Sequence, residues 1–132
     1  MKQTPTVKSF LIADQVFRQD NGKWCVIGVF EAIHSLRFPA MHPSLGLYLK
    51  LADASGTFDL GVEFHDGGGR CVARMGGVRL QVPDRLMEVG VGFQTHNLLI
   101  PAAGVYHFKL FFDGQPAEGQ DIRLDARLIK EA

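Results

Sequence analysis

The chain has 132 residues, and 14 Lys plus Arg offset 14 Asp plus Glu, giving a formal charge of zero. Its 46% hydrophobic and 21% charged residues describe one foldable domain, residues 1–132, far from intrinsic disorder. The charge balance excludes an all-over basic nucleic-acid binder, and no apolar stretch approaches the roughly 20 residues that span a bilayer.

Taken in chain order, strands are expected almost throughout. Val7–Phe17 is apolar-rich and ends at Arg18-Gln19-Asp20-Asn21-Gly22, where Asn-Gly signals a tight hairpin. Lys23–Ile33 reads as the returning strand and is apolar on both faces. Trp24, Val26, Gly28 and Phe30 share one face, with Trp24 read as core; Cys25, Ile27, Val29 and Ile33 share the other. His34–Ser44 is expected to be a loop, because Pro39 and Pro43 remove backbone donors.

Leu45–Ala54 alternates with Leu45, Leu47, Leu49 and Leu51 on one side. Thr57–His65 repeats the pattern, turning Phe58, Leu60, Val62 and Phe64 inward and Asp59, Glu63 and His65 outward. After the turn Asp66-Gly67-Gly68-Gly69, Arg70–Met75 and Val78–Val82 flank Gly76-Gly77 as two short strands or one bulged strand. Pro83–Glu88 offers a helical turn. Met87–Thr95 places Met87, Val89, Val91 and Phe93 on one face, while Gly90 and Gly92 imply a bulge or a close approach by another backbone. Val105–Asp113 turns Tyr106, Phe108, Leu110 and Phe112 inward. Asp121–Ile129 does the same with Ile122, Leu124, Ala126 and Leu128, leaving Asp121, Arg123, Asp125 and Arg127 as a solvated outer row. About seven to nine short strands at this spacing predict an all-β antiparallel β-sandwich, immunoglobulin-like or jelly-roll-like.

Leu11-Ile12-Ala13-Asp14, Asn21-Gly22-Lys23, Ile27-Gly28-Val29-Phe30 and Phe38-Pro39 form one set of short motifs. Pro101-Ala102-Ala103-Gly104-Val105-Tyr106-His107-Phe108 and Asp113-Gly114 form another. This layout resembles a family of small bacterial proteins of unknown function built as single β-sandwich domains. The resemblance implies a fold and a bacterial origin, and it carries over no catalytic or binding residue. Gly104-Val105-Tyr106 resembles a tyrosine corner, in which a hydroxyl bonds upstream backbone.

Chemistry is thinly signalled. His65-Asp66-Gly67-Gly68-Gly69-Arg70 could form a phosphate nest, but strands flank the glycines and the string reads as a hairpin loop. No H-x₃₋₅-H pairing appears among His34, His42, His65, His96 and His107, so neither a metal nor a cofactor is expected. No serine lies in a G-x-S-x-G context, and an enzyme is not the expected reading. Cys25 and Cys71 are expected to be reduced thiols, since Met1–Phe10 lacks a signal-peptide pattern and the cytoplasm is the expected compartment.

The apolar reverse face of Lys23–Ile33 needs shelter, either from the long loops or from another subunit. The expectation is an interaction or assembly module, without nucleic acid or membrane partners, that self-associates through Ile27, Val29 and Phe111. The alternative is a small-ligand or metal-binding site where loops meet, built from His34, Arg37, His42 and His96.

Overall fold

The computed structural model describes residues 4–117 and 119–130. Ten strands follow in order: β1 (Thr6–Arg18), β2 (Trp24–Val29), β3 (Ala32–Ser35), β4 (Ala40–Ala52), β5 (Gly56–His65), β6 (Cys71–Val82), β7 (Val89–Ile100), β8 (Gly104–Phe112), β9 (Gln115–Pro116) and β10 (Ile122–Leu128). No helix occurs among the described residues, and Pro83–Glu88 forms turns instead. One sheet has the order β2-β1-β4-β7 and the other β3-β10-β8-β5-β6, with β9 beside the end of β8. Every pairing is antiparallel except β3 with β10.

Alternation decides what the two layers share. Leu45, Leu47, Leu49 and Leu51 of β4 meet Phe58, Leu60, Val62 and Phe64 of β5 and Tyr106, Phe108, Leu110 and Phe112 of β8, all buried in one core cluster. Each such side chain contributes about 1.5–3 kcal/mol by leaving water. β6 is one bulged strand: Gly76 and Gly77 both take positive φ, and the register against β5 slips at Leu60/Gly61.

Besides the missing helical turn and Leu128, which is exposed rather than inward, three features depart from the sequence reading. First, Lys23–Ile33 is two strands, because the chain leaves the first sheet after Val29 and Ala32–Ser35 joins the second beside β10. Second, Pro43 does not break the ladder. It lies within β4, which takes up the end of the expected His34–Ser44 loop from Ala40 on and pairs with β7 through His42↔Leu98 and Ser44↔His96. Near that point β7 changes face: Asn97 takes a left-handed φ of 56°, and Leu98 and Ile100 are buried where simple alternation from Val91 would expose them.

Third, Trp24 is not in the core. β1 pairs with β4 only as far as Ala13↔Gly46, and its second half then pairs with β2 alone. The Gln94 side chain takes over the abandoned ladder, accepting from Val16 N at 2.9 Å and donating to Asp14 O at 2.8 Å and Ser44 Oγ at 2.7 Å. The β1–β2 hairpin therefore lies over the outer face of its own sheet. A Cβ at Gly92 would fall 2.5 Å from Val16 Cγ1 and 2.8 Å from Trp24 Cζ3, and one at Gly46 would fall 2.6 Å from Val16 Cγ2. Gly90 and Gly92 thus admit a tryptophan ring rather than another backbone.

Tyr106 Oη donates to Ala102 O at 2.7 Å and accepts from Ala102 N at 3.2 Å, while its ring stacks on Phe64 with centroids 4.8 Å apart. Tyr106→Phe is expected to cost about 1–2 kcal/mol in denaturant unfolding, since it strands both Ala102 groups. An unchanged midpoint would show that the hydroxyl holds nothing. Gly92→Ala is expected to cost about 1–3 kcal/mol by overpacking and to shift the emission of Trp24 as the hairpin is lifted. Trp24 is the sole tryptophan, so this readout is specific.

Candidate functional site

The hairpin has two unlike faces. Val16 and Trp24 turn toward the strand glycines, and the Arg18 guanidinium sits 5.8 Å from the Trp24 ring centroid. On the reverse face the register sets Phe17 opposite Cys25 and Gln15 opposite Ile27. Phe17, Ile27 and Val29 are 44%, 49% and 52% exposed, so no loop of the described chain covers them. Phe111 does not share this surface. It stands on the outer face of the other sheet, where β8 places it opposite Gly61, and it is half-buried over a groove that includes Asp59, Glu63 and Arg74.

The four residues expected at a loop-end site are divided. His34 on β3 and His42 on β4 line one groove of about 350 Å³ together with Asp14, Gly28 and Phe30. His96 is a strand residue opposite Ser44 and lines the neighbouring groove with Gln15, Phe17 and Gln94. Arg37 lines neither. It occupies the turn after β3, where Ser35 Oγ donates to Arg37 O at 2.8 Å. His34, His42 and His96 do not assemble a three-ligand metal set among the described residues.

His42 packs against Phe30 with ring centroids 6.0 Å apart, and its Nε2 is buried with no hydrogen-bond partner among the described residues. Burial pushes the imidazole below its ordinary pKa, outweighing a hydrogen bond to the Ser44 backbone and the nearby Asp14 carboxylate.

Sequence reasoning missed a different cluster. Glu63 and His65 project from the same face of β5, and the β5–β6 hairpin brings Cys71 opposite His65. Their ligating atoms lie within 4.8 Å of one another. His65 Nε2 is 2.8 Å from Glu63 Oε1, His65 Nδ1 is 3.2 Å from Gly69 O, and Arg74 Nε is 3.3 Å from Glu63 Oε2. The His65 hydrogen bond, with help from Arg74, holds the Glu63 carboxyl below the usual carboxylate range. The linking turn is rigid: Asp66 Oδ1 accepts from Gly68 N at 3.0 Å and Arg70 N at 2.9 Å, and Gly69 N donates to Asp66 O. Those donors are consumed internally, which rules against the phosphate nest. The signal was present in the outward parity of residues 63 and 65 and in the hairpin arithmetic that pairs 65 with 71.

Fold and surface together define a two-sheet β-sandwich with an exposed apolar patch at Phe17, Ile27 and Val29 on one layer and a charged outer face on the other. The family model DUF6941, a family of unknown function, matches residues 8–125, and the chain belongs to that family. No curated protein matches the chain. No helix among the described residues is long and apolar enough to cross a membrane.

A histidine whose folded pKa is lowered binds its proton more readily once unfolded. Its contribution to stability is therefore complete above the ordinary value of 6.5 and is lost as pH falls through that value. Thermal unfolding from about pH 7 down to about pH 5.5 is expected to show a smaller acid-side loss in His42→Gln than in the parent chain. Identical slopes would remove His42 from the account.

Proposed function

We propose that the domain is a non-enzymatic assembly module that pairs with a second copy of itself through the edge strand β2. The observation that carries this is the exposed reverse face of Ile27 and Val29 on a strand with no charged residue and no proline. Edge strands normally carry such devices to block pairing with another chain. The other edges do carry polar interruptions: Arg74 and Arg79 on β6, His34 on β3, and Gln94, His96 and Asn97 on β7, whereas β2 has only the left-handed Gly28.

A second copy is the partner that suits this edge. Zero net charge leaves no long-range repulsion between copies. Antiparallel pairing about a two-fold axis at Ile27 would set Ile27 against its own mate and Cys25 against Val29, a continuous apolar stripe. The reading needs no nucleic acid, membrane or cofactor. Two unpaired cysteines fit a reducing bacterial cytoplasm, the compartment proposed here.

Light scattering on a sizing column is expected to give a dimer at micromolar concentration. Ile27→Asp, which would set two like charges face to face, is expected to give a monomer with unchanged circular dichroism. A parent chain that stays monomeric across that range would overturn the reading.

A further inference from the structure

We propose that Glu63, His65 and Cys71 form a binding site for a divalent metal ion of the zinc class, with three protein ligands and a position left for water. The cluster stands on the outer face of the second sheet, away from β2, so it does not depend on self-association.

Hydrogen-bond accounting at His65 is the starting point. A neutral imidazole has one N–H, yet both ring nitrogens face acceptors: Gly69 O at Nδ1 and the Glu63 carboxylate at Nε2. Something positive must sit on Nε2. A second proton would satisfy His65 and Glu63 but leaves Cys71 as a bystander, its thiol donating weakly to Ala73 O at 3.5 Å. A metal ion accounts for all three groups. Nδ1–H bonded to a backbone carbonyl is also the arrangement that orients a ligating histidine and frees Nε2 for the ion.

The donor set fits the ion. Imidazole nitrogen, thiolate and carboxylate are the zinc donors, with bonds of about 2.0–2.3 Å that place ligand atoms about 3.3–3.8 Å apart. The 2.8 Å His65–Glu63 contact opens to that as its proton leaves, and the rest of the spread, within 4.8 Å, closes to it, both by modest side-chain rotation. All three side chains are half-buried on paired strands, and the Asp66 turn fixes the two strands relative to each other. Arg74 stays on the second Glu63 oxygen, where it orients the carboxylate and offsets its charge. Lys109, opposite Glu63, adds positive charge on the same face, and His107, opposite His65, lies 3.9 Å from Asp121. The Lys109 charge counts against a doubly charged ion unless the thiol gives up its proton on binding. On binding, the Cys71 thiol proton and the proton between His65 and Glu63 leave to solvent.

The test is a Co²⁺ titration of the reduced, untagged chain, followed by thiolate-to-cobalt absorption in the near ultraviolet. One Co²⁺ per chain is expected, displaced by Zn²⁺. Cys71→Ser should abolish the band, Cys25→Ser should leave it, and His65→Gln should weaken binding roughly tenfold or more. Glu63→Gln, closest in shape, should also weaken binding and carries the test if circular dichroism shows either of the other site variants misfolded. Absence of the band, its survival in Cys71→Ser, or undiminished binding in both His65→Gln and Glu63→Gln would overturn the proposal.

Discussion

A side-chain amide stands where a peptide would normally be. β1 parts from β4 at Ala13, and the Gln94 carboxamide satisfies Asp14 O and Val16 N that the ladder no longer serves. A buried backbone donor left unpaired costs about 1–3 kcal/mol, so the departure of β1 leans on the bond that Gln94 accepts from the buried Val16. From it follow the hairpin's position over Gly46, Gly90 and Gly92, the displacement of Trp24 from the core, and the outward turn of Ile27 and Val29. The groove lined by Asp14, His34 and His42 is a consequence of the same bend, because it lies where the hairpin and β3 diverge.

Much of the sandwich was legible in period-two order. Leu45 to Leu51, Phe58 to Phe64 and Tyr106 to Phe112 each bury one parity, and the structure packs those parities together. The tyrosine corner was legible for the same reason: a local motif makes a local bond, here Tyr106 to Ala102. What alternation cannot carry is a change of face. The left-handed φ at Asn97 and the crossing between Val29 and Ala32 are set by how the layers close on one another, and neither leaves a periodic trace. Trp24 misled for a related reason. Its place in an apolar run argued for the core, whereas the room made for it by Gly90 and Gly92 lies on strands that only tertiary pairing brings near.

The candidate sites divide along the same line. Ile27 and Val29 were readable as residues in need of shelter, because a strand apolar on both faces has one face too many for a two-layer fold. Phe111 had the same outward parity, but it answers a local need by covering Gly61, as aromatic side chains do beside strand glycines. His34 and His42 do meet in one groove, while Arg37 and His96 were grouped with them on the premise of shared loops: His96 is on strand β7, and Arg37 stays in the turn after β3, away from that groove. The Glu63, His65 and Cys71 cluster escaped notice because its members were read strand by strand rather than across the hairpin.

The two outer faces differ in the interactions they offer. On the second sheet, charge is locally answered: Arg79 with Asp59, Arg74 with Glu63, and Arg123 and Arg127 with Asp125. Such exposed pairs add little stability, about 0–1 kcal/mol each, but they keep that face hydrated and unsuited to contact with a like copy. The first sheet instead has a hairpin laid across it whose reverse side exposes Phe17, Ile27 and Val29, ending in an edge strand without charge. Association and ion binding would therefore occupy opposite layers joined only through the packed core. Loss of one leaves the other intact, and the core leucines and phenylalanines, closely packed and fully apolar, would couple them only by moving as a unit.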